Sequence, residues 1–126
     1  LGYEMHLPNA SDEIKETVKA QVAAYREYEE LILRGDFYRI FSPFDSNYYA
    51  YYFTNAERSE FLLSFEQSYG ESASRVYLFI PEADENAEYL DTVSGEVFSG
   101  KTLTRGIEVK TKETDPYSVM WHFVKK

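Results

Sequence analysis

Between Asp12 and Arg34 the chain places apolar side chains at steps of three or four residues, which is the repeat of an amphipathic α-helix. The members of this stripe are Ile14, Val18, Val22, Tyr25, Tyr28 and Ile32, and charged side chains fill most of the positions between them. Ser11 or Asn9 can cap the first turn, and Gly35 can provide a left-handed residue after the last. The pattern predicts one helix of roughly six turns. Its apolar stripe is expected to pack on the rest of the chain or on a second copy.

After Gly35 the apolar repeat shortens to two residues, as in strands whose two faces meet different surroundings. The predicted strands are Asp36 to Phe41, Tyr48 to Phe53, Phe61 to Phe65, Arg75 to Ile80, Glu88 to Val93, Glu96 to Ser99, Ile107 to Thr111 and Tyr117 to Val124. Both faces of the second strand are aromatic, which predicts that it is covered on both sides. About seven or eight short strands at this spacing predict a mainly β fold. We expect an antiparallel β-sandwich of Greek-key type, preceded by the long amphipathic α-helix.

The composition is that of a globular protein with a single core. The chain has 126 residues, of which 44% are hydrophobic, 28% are charged and none is cysteine. No run approaches the roughly 18 apolar residues that span a bilayer, and no basic start followed by an apolar stretch marks a signal peptide. The absence of cysteine fits a reducing compartment, so a cytoplasmic location is expected.

The net charge of -9 is concentrated in the middle of the chain. The segment from Asn55 to Glu96 holds ten acidic and two basic side chains, whereas Val97 to Lys126 holds three acidic and six basic ones. Phosphate backbones require clustered Lys and Arg side chains, so this balance argues against nucleic acid as a partner.

No set of residues in the sequence has the spacing of a catalytic or metal site. His6 and His122 lie far apart without further ligands at matching intervals, and His122 falls on the outward phase of the last predicted strand. Asp36, Asp45 and Asp91 lie at strand ends, where aspartate commonly stabilises turns. We therefore predict no cofactor, no metal site and no catalytic residue within the chain.

Aromatic rings are the one feature that suggests binding, because tyrosine and tryptophan stack on the apolar faces of sugars. The chain has 12 Tyr, 9 Phe and 1 Trp. Most of these rings follow strand alternation, which favours packing in a core, and Trp121 is assigned there. Tyr48, Tyr52 and Tyr69 are retained as candidate sugar contacts.

Two groups of motifs resemble one family of enzymes. The series Gly35-Asp36-Phe37-Tyr38-Arg39 followed by Ser42-Pro43-Phe44, placed directly after a helix, is similar to the segment that leaves the catalytic barrel in bacterial α-galactosidases of glycoside hydrolase family 36. Further matches to this family are Leu1-Gly2-Tyr3-Glu4-Met5 at the start, and Ser94-Gly95, Gly100, Leu103 and Gly106-Ile107 later in the chain. Met5-His6 departs from the Leu-Asp that is usual in the family.

The resemblance implies that the chain is the C-terminal part of a longer enzyme, called here the parent enzyme. Residues 1–35 would then be the end of the last barrel strand and the last barrel helix, and residues 36–126 the C-terminal antiparallel β-sandwich. The parent would be a retaining α-galactosidase that hydrolyses terminal α-galactosyl residues of oligosaccharides in its barrel. Both of its catalytic Asp residues would lie outside this chain, so the chain alone is expected to be inactive.

The implied partners are the parent's catalytic barrel and, for the parent, α-galactosides. Self-association through the helix face of Ile14, Val18, Val22 and Tyr25 is a further expectation. The alternative interpretation is a free-standing carbohydrate-binding module that uses exposed tyrosine rings.

Overall fold

The computed structural model of the protein describes residues 7–70, 72 and 74–126. Leu1-Gly2-Tyr3-Glu4-Met5, which the family resemblance assigns to the end of a barrel strand, and His6 lie outside these residues. Within the described part of the chain, neither helix combines the length and the apolar character needed to cross a membrane.

The predicted long helix is present as α1, which runs Asp12–Arg34. Ser11 caps it as expected, because its hydroxyl accepts a hydrogen bond from the Ile14 amide at 3.4 Å. The predicted left-handed glycine at the other end is wrong, since Gly35 is extended with φ -74° and ψ 162°. Glycine fits there for a different reason: a Cβ atom would lie 2.4 Å from the Leu31 carbonyl oxygen and 2.8 Å from that of Thr54. The chain therefore turns from helix to strand under close backbone packing.

Eight strands follow in the part of the chain that the structure describes, and each pair of neighbours in a sheet is antiparallel. They are β1 Asp36–Phe41, β2 Tyr48–Thr54, β3 Glu60–Gln67, β4 Arg75–Leu78, β5 Glu88–Asp91, β6 Val97–Ser99, β7 Ile107–Lys110 and β8 Tyr117–Lys125. One sheet has the order β1-β2-β3-β8-β5-β6, and the second consists of β4 and β7. The predicted antiparallel β fold with a long helix before it is confirmed.

A short helix that the sequence patterns did not predict, α2 at Gly100–Arg105, connects β6 to β7. Ser99 caps it by accepting a hydrogen bond from the Thr102 amide. Its first residue must be small, because a Cβ atom on Gly100 would meet the Asp84 carbonyl oxygen at 1.8 Å. Six residues are too few to display a helical apolar repeat, which explains the omission.

The main core lies between the two sheets and is built of aliphatic and aromatic side chains. Its buried members are Ala50, Tyr52, Phe61, Leu63, Phe65, Val76, Leu78, Ile80, Ala83, Tyr89, Leu103, Ile107, Val109 and Phe123. Trp121 packs against this cluster while partly exposed, in agreement with its assignment to the core. Alternate residues of β2, β3 and β8 thus face the second sheet, and the intervening residues face the other way.

The opposite face of the six-stranded sheet, here called the helix side, carries α1. Tyr28 and Leu31 of the helix are buried there against Leu62 of β3, with Ile32 and Phe53 partly buried at the edge. The prediction that β2 is covered on both faces holds in part, since its helix-side rings are only half-buried. The helix therefore packs on the sandwich with the C-terminal half of its apolar stripe.

Candidate functional site

The three tyrosines proposed as sugar contacts differ in their surroundings. Tyr52 is 2% exposed, its ring stacks on Tyr38 with 5.1 Å between centroids, and its hydroxyl donates a hydrogen bond to the Glu82 carboxylate. A ring enclosed in this way has no free face for a sugar, so the structure removes Tyr52 from the candidates. Burial and the neighbouring Glu82 carboxylate both raise the pKa of the Tyr52 phenol.

Tyr48 and Tyr69 lie near the same end of the β2–β3 pair. The Tyr48 ring packs against the core between Phe41 and Phe65, at centroid distances of 6.2 and 5.8 Å. Tyr69 is 71% exposed, and its backbone is held by the Asn47 side chain, which donates to the Tyr69 carbonyl at 2.7 Å. Tyr69 is therefore the one member of the proposed set with a largely open ring.

Of the acidic residues at strand ends, Asp91 stabilises a turn, as its position predicted, whereas Asp36 forms an ion pair. Asp91 is buried, and its carboxylate accepts hydrogen bonds from the amides of Val93, Ser94 and His122. Asp36 forms an ion pair of 2.8 Å with Arg58. These partners satisfy both carboxylates structurally. Among the described residues, no group of three or more potential metal ligands is present.

A buried histidine connects the sheet to the helix. His122 lies on the helix side of β8, where its Nδ1 and Nε2 atoms share hydrogen bonds of 2.7 Å with Thr92 Oγ1 and Glu60 Oε1. The Tyr28 ring of α1 meets the imidazole edge-on, with centroids 4.9 Å apart. The sequence placed His122 facing outward, and the helix covers that face, so the imidazole is satisfied within the protein.

We call the contact of Tyr28 with His122 and its partners the joint. Next to it, a groove of about 540 Å³ runs between α1 and the helix side of the sheet. Tyr25 and Tyr28 line it from the helix, and Tyr51, Phe53 and Met120 line it from the strands. The half-buried Tyr51 phenol lines this groove, and burial raises its pKa. The sequence patterns did not predict this groove, because it depends on how α1 crosses the sheet.

An aromatic ladder extends the groove toward the edge of the sheet. Phe37 on β1 contacts Tyr51 and Phe53 on β2 at centroid distances of 5.6 and 5.3 Å, and Tyr49 lies 4.9 Å from Tyr51. Period-two alternation could have indicated this ladder, since all four residues share one face of their strands. We call the groove and the ladder together, represented by Tyr25, Phe37, Tyr51, Phe53 and Met120, the helix-side surface.

Comparison with curated proteins relates the chain to α-galactosidases. It is 31% identical to α-galactosidase AgaA of Geobacillus stearothermophilus over 121 residues, which is 95% of this chain and 17% of that protein. It is also 31% identical over 103 residues to the bifunctional α-galactosidase/sucrose kinase AgaSK of Mediterraneibacter gnavus, covering 81% of this chain and 11% of that protein. No family model matches the chain.

Solved structures give the same relationship. The family 36 α-galactosidase AgaA in complex with raffinose matches 99% of this chain with a TM-score of 0.88 and 32% identity, over 18% of its own length. The α-galactosidase of Lactobacillus brevis matches the whole chain with a TM-score of 0.87 and 25% identity. The chain thus spans less than a fifth of these relatives. It is a homologue, along nearly its entire length, of a segment of the family 36 α-galactosidases, as its motifs predicted, and is consistent with a C-terminal domain of such an enzyme.

Proposed function

We propose that the chain is the structural, non-catalytic C-terminal domain of a retaining α-galactosidase. The observation that carries this proposal is the match of 99% of the chain to 18% of AgaA. Helix and sandwich are matched together, which supports a common origin for the whole arrangement rather than for a shared sandwich alone.

The chemistry of the parent enzyme would take place outside these residues. In a retaining glycosidase one carboxylate attacks the anomeric carbon, while a second protonates the leaving oxygen and then activates water. The substrates would be oligosaccharides with terminal α-galactosyl residues. The solved AgaA structures include complexes with raffinose and stachyose, which fits this substrate class.

The domain division remains part of the proposal: residues 1–35 belong to the parent's barrel and residues 36–126 form the sandwich. Support comes from α1, whose apolar stripe is wider than its contact with the sheet. In this stripe Ile14 is exposed and Val22 is half-buried. A helix with unused apolar surface is suited to lie between two bodies, here the sandwich and the barrel. A cytoplasmic location of the parent is the accompanying proposal.

The proposal is tested by comparing the 126-residue chain with the full-length protein that contains it. With a chromogenic aryl α-galactoside, we expect hydrolysis by the full-length protein and none by the chain alone. Turnover by the chain that a single substitution within it abolishes would contradict the proposal.

A carbohydrate-binding module is the second candidate, and the exposure of Tyr69 favours it. Titration with galactose and raffinose, followed by tyrosine and tryptophan emission, would then give a saturable signal that Tyr69→Ala abolishes and Tyr52→Phe retains. No response up to tens of millimolar sugar would leave the structural role.

Self-association through Ile14, Val18, Val22 and Tyr25 is proposed as a property of the isolated chain. Val18 is buried, whereas Val22 and Tyr25 are half-buried. A Val22→Glu variant should then sediment as a monomer at concentrations where the unchanged chain forms dimers. Identical sedimentation of the two would contradict this proposal.

A further inference from the structure

We draw no further inference here: the strongest candidate, the helix-side surface of aromatic residues beside α1, carries none, because nothing in the structure shows what covers it.

Discussion

Fourteen buried apolar residues fill the space between the two sheets, whereas three meet between α1 and the helix side of the six-stranded sheet. The first cluster contains side chains from both sheets and from α2, so each sheet covers one face of the other. To the second cluster α1 contributes the buried Tyr28 and Leu31, with Ile32 partly buried beside them, all in the last two turns of a 23-residue helix. The sandwich thus has the contacts of an independent core, and the helix is attached to it mainly at one end.

The two regions also differ in polarity. The buried cluster between the sheets contains no charged side chain, and its tyrosine hydroxyls reach partners such as Glu82 and the Asp84 amide at its margin. The joint under α1 includes His122, with Thr92 and Glu60 as its partners. The hydrogen bonds of His122 join β3, β8 and the residue after β5, and α1 meets the imidazole through the Tyr28 ring. The core thus buries more apolar side chains, and the helix packs on a small cluster that includes a polar side chain.

The largest effect is expected from Leu63→Ala in the core. Leu63 is fully buried, so the truncation leaves a cavity and should lower the free energy of unfolding by about 2–5 kcal/mol. Urea unfolding of the 126-residue chain measures this change. The matched control is Leu33→Ala on the exposed side of α1, which should stay within about 0.5 kcal/mol of the original chain. A loss below 1 kcal/mol (roughly the average point mutation) for Leu63→Ala would contradict the assignment of the core.

Leu31→Ala should have a smaller and more local effect. The side chain is buried against Leu62, but an open cleft of about 470 Å³ lies beside it, so the site can relax or admit water. We expect a loss of about 2 kcal/mol, together with faster amide hydrogen exchange along α1 and nearly unchanged exchange in β3 and β8. Equal acceleration in helix and strands would mean that helix and sandwich form a single cooperative unit.

Tyr52→Phe tests the burial of the Tyr52 hydroxyl through the pH dependence of the free energy of unfolding. The folded protein raises the pKa of the Tyr52 phenol above its ordinary value of 10.0, chiefly by burial. The Tyr52 phenol therefore makes its full contribution to the free energy of unfolding below pH 10. As the pH rises further this contribution is lost, because the unfolded chain releases the phenol proton more readily than the folded chain does.

The Tyr52→Phe variant should lose about 1 kcal/mol at pH 7, through its missing hydrogen bond to Glu82. Above pH 10 its free energy of unfolding should fall less steeply than that of the original chain. Tyr69→Phe, at an exposed ring, is the control and should change neither measurement. A steeper alkaline loss in Tyr52→Phe would contradict the assigned burial.

The smallest effect is expected at the N-terminal end of the helix. Ser11→Ala removes the hydroxyl that accepts from the Ile14 amide, a change that costs about 0.5–2 kcal/mol in helices whose first turn is docked. The first turn of α1 contributes no residue to the buried cluster at the joint, so fraying should absorb most of this loss. We expect global stability to fall by less than 0.5 kcal/mol (within the range of surface substitutions), with exchange accelerated only in the first turn. Acceleration that reaches Tyr28 would mean that the whole helix is cooperatively docked.

The sequence was sufficient to predict α1, the approximate strand positions and the family. It was insufficient for the candidate site, as Tyr52 and Tyr51 illustrate. Both lie in one aromatic strand, and alternation assigns them to opposite faces without stating which face is enclosed. The second sheet buries Tyr52, whereas Tyr51 is left in a groove because α1 crosses only part of the helix side. The choice depends on long-range packing, which a local period does not contain.

Local patterns in these 126 residues determined the elements themselves, because a helix or strand reveals its own repeat and caps within a few residues. The tertiary structure alone decided that His122 is enclosed under Tyr28 and that Gly35 is required by contact with Thr54. Each of these outcomes joins residues far apart in the chain. The free energy of such contacts depends on which surfaces meet, and that is established only when the sheets and the helix pack.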